Sequence, residues 1–306
     1  MDVVISSHPD GDHSSGLAVV LENLKVGELW MHKPWEHTTD IARMFRDGRV
    51  SDMSVREAVR RSLESARDLE RIASRRGIPI VEPFTGTSAF GTIVQVAGPT
   101  RQFYDSLLSD FRCTPAPTES ILTALERLLS PVGEAVASVF EDWNIETLTD
   151  SGTTSAENNS STIVLVRPEV GHSILLTADA GIPALTIAAD ILDGIAFDYN
   201  SLKLIQVPHH GSRRNVGPTV LNRLLGPVKT VDTRLRSAYV SAAKDGAPKH
   251  PSKRVTNAFR RRGAHVYGTM DGCAIRHHHN APDRNGWVTI QPLPLYQQVE
   301  EEGEAA

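Results

Sequence analysis

From Thr162 onward the chain alternates short β-rich runs with amphipathic helical stretches, and this alternation restricts its fold more than any other feature. Thr162–Arg167 and His172–Thr177 flank a Pro168–Gly171 turn and read as a hairpin. A helix follows Asp179 through about Leu192, then strand Leu202–Val207, helix Val216–Leu225, strand Ala238–Ser241 and helix Ser252–Arg262. Short closing strands are expected near His265–Tyr267 and Trp287–Ile290. Strands and helices in alternation predict an α/β layered sandwich.

The first half is less regular. Asp2–Ser7 reads as a strand entering His8, Gly16–Leu24 as a helix and Glu28–Met31 as a second strand. Two helices are expected between about 35 and 76, the second from Ser54 to Arg76, with alternating charges that suit a solvent-exposed surface. Ile78–Val81 and Thr92–Ala97 read as strands. Arg101–Phe111 and about Glu119–Trp143 read as helices separated by Thr114-Pro115-Ala116-Pro117. Residues 37–76 and 105–150 are therefore taken as helical insertions in one domain spanning 1–295, with 296–306 as an acidic tail.

Several classes are excluded or disfavoured. No apolar run reaches the ~18 residues of a membrane span, and Ile174–Ile191 is broken by Asp179 and Asp190. The first residues lack the charged and apolar regions of a secretory signal. Cys113 and Cys273 are isolated, which gives neither a disulfide framework nor a thiolate knuckle, so a cytoplasmic location is expected. Charge is unevenly spread: residues 203–276 hold 15 Lys/Arg against 3 Asp/Glu, a surplus of 12, while the whole chain is at -5. Such a segment suits a phosphate-rich partner, or else a solvated face balanced by the acidic half of the chain.

The densest chemistry is His8-Pro9-Asp10-Gly11-Asp12-His13, four metal-ligand side chains directly after a strand. Neutral imidazoles and ionised carboxylates bind Zn²⁺ or Mn²⁺ without thiolates. A tight loop can point His8 and Asp10 at one ion, and Asp12 and His13 at a neighbour.

This H-x-D-x-D-H order resembles the first motif of the metallo-β-lactamase superfamily, and the chain looks most similar to the ComEC-like competence hydrolase domains and their soluble relatives. Further segments match in register: Asn158-Asn159-Ser160-Ser161, Leu175-Leu176-Thr177-Ala178-Asp179-Ala180, Val207-Pro208-His209-His210-Gly211-Ser212, and Ser241-Ala242-Ala243-Lys244 followed by His250-Pro251. The resemblance covers about residues 1 to 276 and implies an αββα sandwich with the helical insertions above. It implies two divalent ions, Zn or Mn. His8 and Asp10 would hold the first, Asp12, His13 and one imidazole of His209 and His210 the second, and Asp179 would bridge them. Asn158 or Asn159 stands where most of the superfamily has histidine, so an amide oxygen or water would complete the first site. The resemblance also implies strands before the first motif. The chain reaches His8 after seven residues, so the first sheet is expected to be incomplete at its N-terminus, with a partner chain able to complete it.

The function implied is a dinuclear metal-dependent hydrolase, a phosphodiesterase or nuclease acting through a metal-bridging hydroxide on nucleic acid or another phosphodiester. Asp12, Asp179 and His250 would be catalytic, and Ser212, Arg213, Arg214, Ser241 and Lys244 would bind substrate. The alternatives are a small-molecule phosphoesterase of nucleotide or phosphocholine type, and a non-catalytic binding subunit. His32, His37 and His172 are read as packing or structural histidines, and His277-His278-His279 as exposed.

Overall fold

A computed structural model describes residues 1–37, 63–111, 138–243, 250–270, 275, 282 and 284–300. The chain divides into two compact units: Met1–Thr85, Pro99–Ala135 and Ser155–Thr162 form one, and Gly86–Gly98, Val136–Thr154 and Ile163–Ala306 the other. The described residues are mixed α/β, as the alternation predicts.

The first unit is built on a three-stranded parallel sheet, β1 (Val3–Ile5), β2 (Glu28–Trp30) and β3 (Ile80–Val81), in that order. Parallel neighbours need a long crossover. Helix α1 (Gly11–Asn23) supplies it between β1 and β2, and α2 (Glu64–Arg76) precedes β3. Helix α2 buries Ala66, Leu69, Ile72 and Ala73, a helical i, i+3, i+4 stripe that packs on α1. Its charged residues lie off that stripe, so the helix is solvent-facing on one side only. Gly77 ends it at φ 66°, with Gly77 N–H on the Ser74 carbonyl and Ile78 N–H on the Ala73 carbonyl. That left-handed closure favours glycine and satisfies two carbonyls the helix leaves open. The Arg76 guanidinium reaches back to the Leu21 and Leu24 carbonyls at the end of α1, where a cation is favoured. Val4, Leu29, Met31 and Trp35 join this core with Tyr104 of α3 (Arg101–Leu107), and α4 (Ala156–Asn159) adds one further turn.

The second unit carries a seven-stranded sheet. Its strands are β4 (Ser88–Ala89), β5 (Val94–Gly98), β7 (Ile163–Glu169), β8 (His172–Leu176), β9 (Leu202–Gln206), β10 (Arg236–Val240) and β11 (Ala264–Gly268), with β6 (Ser138–Phe140) set apart. Their order is β11-β10-β9-β8-β7-β5-β4. β8 to β11 run parallel and β7, β5 and β4 antiparallel. The β7–β8 hairpin forms as expected, with Glu169 opposite His172 and Gly171 at φ 78° in the turn. Helices α5 (Ile182–Gly194), α6 (Pro218–Leu225) and α7 (Lys253–Arg261) are the three crossovers of the parallel half.

The structure corrects several sequence expectations. Helix α1 starts at Gly11 rather than Gly16, because Asp10 is its N-cap residue and its carbonyl accepts from the His13 and Ser14 amides. The helix expected to run to Trp143 does not reach it: β6 occupies 138–140 and pairs antiparallel with β12 (Gln298–Glu300). The start of the expected tail is therefore ordered at 298–300. There the Glu300 carboxylate accepts from Ser252 Oγ at 3.2 Å and from the Lys253 amide at 2.8 Å, capping α7. Trp287–Ile290 is not a strand, and Trp287 and Val288 are exposed. Lys244, both cysteines, His277-His278-His279 and much of both expected insertions lie outside the described residues. Among the described residues no helix is long and apolar enough to cross a membrane.

Candidate metal centre

In the first unit, β1 hands the chain to the H-P-D-G-D-H segment, which closes into the first turn of α1. His8 is buried, Asp10 and His13 are partly exposed, and Asp12 is exposed. His8 Nε2 lies 3.8 Å from Asp10 Oδ2, and His13 Nε2 lies 3.7 Å from Asp12 Oδ2. The two rings are 4.2 Å apart. The arrangement therefore brings together all four residues that the motif singled out. Asp12 sits in the first turn of α1, where the helix dipole favours a carboxylate.

Ser7, which the motif reading passed over, orients both rings. Its Oγ is 3.3 Å from His8 Nδ1 and 3.4 Å from His13 Nδ1. A hydroxyl oxygen has two lone pairs and can accept from both Nδ1–H groups, a tautomer that puts the lone pair of each ring on Nε2. Asn158 and Asn159 are buried in α4. Their segment is tied to the motif by the Thr162 amide, which donates to the Ser7 carbonyl at 2.8 Å. Asn159 Oδ1 has no hydrogen-bond partner among the described residues and is an amide oxygen of the kind that can complete a cation site.

In the second unit the candidate site residues stand at the carboxyl ends of adjacent parallel strands, where ligands of open α/β sheets bind. Asp179 follows β8, His209 and His210 follow β9, and Ser241 follows β10. Asp179 is buried. Its turn is held by Gln206, whose Oε1 accepts from the Thr177 and Ala178 amides, both at 3.0 Å. Ala178 has φ 46°, and His209 and His210 have φ 45° and 53°. Left-handed non-glycine residues cost of order 1–3 kcal/mol each and cluster where function fixes the backbone.

Asn215 settles the state of His209. Asn215 Nδ2 donates to the Asp179 carbonyl at 2.7 Å, so its Oδ1 is the atom 3.0 Å from His209 Nδ1, and that nitrogen carries the proton. His209 Nε2 then presents a lone pair 3.9 Å from Asp179 Oδ2. Two donors on one tetrahedral ion with bonds of ~2.0–2.1 Å lie about 3.3 Å apart, so this pair is within a small side-chain shift of sharing a cation. His210 Nδ1 lies 2.6 Å from the Ser241 carbonyl, which can only accept, so His210 also offers Nε2. In the first unit His8, Asp12 and His13, and in the second Asp179 and His210, each offer an imidazole nitrogen or carboxylate oxygen of the kind that can hold a metal ion.

The remaining candidates are placed differently. The His250 ring is 6.3 Å from that of His209, and its Nδ1 has no hydrogen-bond partner among the described residues. Burial lowers its pKa, His209 and His210 lower it further, and Asp179 and Glu300 oppose them. Ser241 meets His210 through its backbone carbonyl, and the hydroxyl of buried Ser212 accepts from the Arg214 amide at 3.3 Å. His32 and His37 are packing residues, as expected: His32 stacks on Tyr104 at 4.5 Å, and His37 pairs with Glu82 at 2.9 Å. His172 pairs with Glu169 at the hairpin turn.

Among the described residues, several cations of the basic segment are engaged in ion pairs. Arg223 pairs with Asp190 and Asp193, Arg260 with Asp232, Arg261 with Glu141 and Arg262 with Glu146. Arg236 is buried. Arg223, Arg261 and Arg262 are thus paired with acids from outside the segment, and Arg260 with an acid inside it. Neither a scan against protein-family models nor a search of curated proteins found a match to this chain.

Proposed function

We propose that the protein is a dinuclear metal-dependent phosphodiesterase of the αββα-sandwich type that uses Zn²⁺ or Mn²⁺. The observation that carries this reading is the pair of facing acceptors, His209 Nε2 and Asp179 Oδ2, 3.9 Å apart. Asn215 fixes the proton of His209 on the opposite nitrogen, and a cation between the two relieves the opposition of lone pairs. Within the H-P-D-G-D-H segment His8 and Asp10 suit one ion and Asp12 and His13 its neighbour, and the carboxylates among them favour Mn²⁺ as a competitor of Zn²⁺.

When bound, two such ions supply an activated water and neutralise charge on the attacked phosphate. The protein's own residues do the rest. Ser7 and Asn215 hold imidazoles with their lone pairs outward, and the 177–179 turn holds the buried Asp179 carboxylate. His250, whose pKa is lowered by burial and by its histidine neighbours, is read as the residue that would hold a phosphate oxygen or exchange a proton with the leaving oxygen. Arg213 and Arg214 follow the ligand pair directly and favour a phosphate over an acyl substrate.

The test is hydrolysis of a chromogenic phosphodiester. Activity is expected to disappear with chelator and to return better with Mn²⁺ than with Mg²⁺, which prefers all-oxygen sites and retains its waters. An Asp12→Ala, His13→Ala variant with full Mg²⁺-supported activity would show that the metals bind elsewhere.

A further inference from the structure

A cleft of about 440 Å³ lies beside the histidine turn within the second unit, lined by Arg213, Arg214 and Arg254 and by the hydroxyl-bearing Thr149, Ser151 and Thr153. Arg254 is 4% exposed. Its Nη1 donates to the Thr147 carbonyl at 3.2 Å, while its Nε has no hydrogen-bond partner among the described residues. A buried charged donor left unmade is costly, so the group points to an acceptor that enters the cleft.

The acids nearest in sequence are turned away. Asp150, the one carboxylate in the 148–153 loop, accepts from the Thr219 amide at 3.1 Å and from Thr219 Oγ1 at 2.6 Å, at the start of α6. Glu141 and Glu146 are engaged by Arg261 and Arg262. Among the described residues no carboxylate lines the cleft. Gly152 seats the loop on the arginine pair, since a Cβ there would come within 2.7 Å of the Arg214 carbonyl.

We propose that this cleft is a phosphate subsite that receives a phosphate of a single-stranded nucleic acid away from the one being cleaved. Guanidinium forks bind phosphate oxygens two at a time, and the loop hydroxyls donate to the rest. The nucleic acid as ligand rests on the phosphodiesterase reading; the affinity for phosphate rests on the cleft alone.

The test is binding of a short fluorescent single-stranded oligonucleotide to the full chain, by anisotropy with excess chelator to prevent cleavage. Arg214→Gln is expected to weaken binding about tenfold and to lower the log–log salt slope by ~0.7, the value for one single-strand phosphate contact. Because Arg254→Gln alters a buried group, Ser151→Glu provides a variant on the exposed loop that sets a carboxylate at the cleft, with an equal or larger loss expected. Unchanged affinity and slope in both Arg214→Gln and Ser151→Glu overturn the subsite even if the protein cleaves phosphodiesters. Loss of binding in both, with wild type that cleaves nothing under any metal, upholds the subsite and removes the hydrolase reading.

Discussion

Asn215 and His209 form the most informative pair in the second unit: the buried amide oxygen stands 3.0 Å from Nδ1, and the same amide's nitrogen holds the backbone of Asp179. One side chain thus sets both the tautomer of an imidazole and the position of the carboxylate that faces it. Outer partners of this kind typically change metal affinity 10–100-fold. Asn215→Leu is expected to weaken Mn²⁺ or Zn²⁺ binding by about that factor in titration calorimetry. Asn215→Asp keeps an acceptor for Nδ1 and should lose less.

Gly211 has φ 86°, and a Cβ there would lie 2.4 Å from Pro251 Cβ. Gly211→Ala forces the histidine turn away from the His250–Pro251 segment. The expected result is loss of metal-dependent activity greater than the loss of stability, read by comparing hydrolysis with the thermal midpoint.

Part of the fold and of the site was legible in the sequence, and the physical reasons are local. The hairpin, α5, α6 and α7 follow from periodicity and turn chemistry, and the ligand residues sit at strand ends because sheet period and loop position are written in the same pattern. Gln206 and Asn215 were not legible: each reads as an ordinary polar residue at a strand end or loop, and only the fold brings its amide under a neighbouring turn. Strand β12 was missed because its partner β6 lies more than 150 residues earlier, and its acidic sequence reads as solvated. The charge surplus was visible but its use was not, since ion pairs such as Arg223 with Asp190 depend on helix packing.

The fully buried Glu141–Arg261 pair supports the loop that leads to the cleft. Glu141 also accepts from Asn257 Nδ2 at 2.7 Å and from the Thr147 amide at 2.9 Å. Removing one member leaves a buried charge, which costs about 3–5 kcal/mol. Glu141→Ala should lower the unfolding free energy by that amount, read as a lower denaturant midpoint at unchanged slope. A Glu141→Leu, Arg261→Met double variant should recover much of the loss.

His32 carries a pH dependence that is independent of any metal. Burial among Tyr104 and Phe84 lowers its pKa to about 3, with Glu82 opposing the shift and His37 and Arg101 adding to it. The unfolded chain binds this proton below about 6.5 and the folded chain does not, so its contribution is fully present above that pH and is lost as pH falls from 6.5 toward 3. Equilibrium unfolding of His32→Phe should show a shallower loss of stability with acid than wild type across that window. Parallel curves would place the dependence on other groups.

Metal content of protein purified without chelators tests the central claim most directly. The account predicts two equivalents of Zn or Mn per chain by elemental analysis, and one or fewer in Asp179→Ala. Wild type that holds no metal after equilibration with micromolar Mn²⁺ or Zn²⁺, or an Asp179→Ala variant that binds as much as wild type, would contradict it.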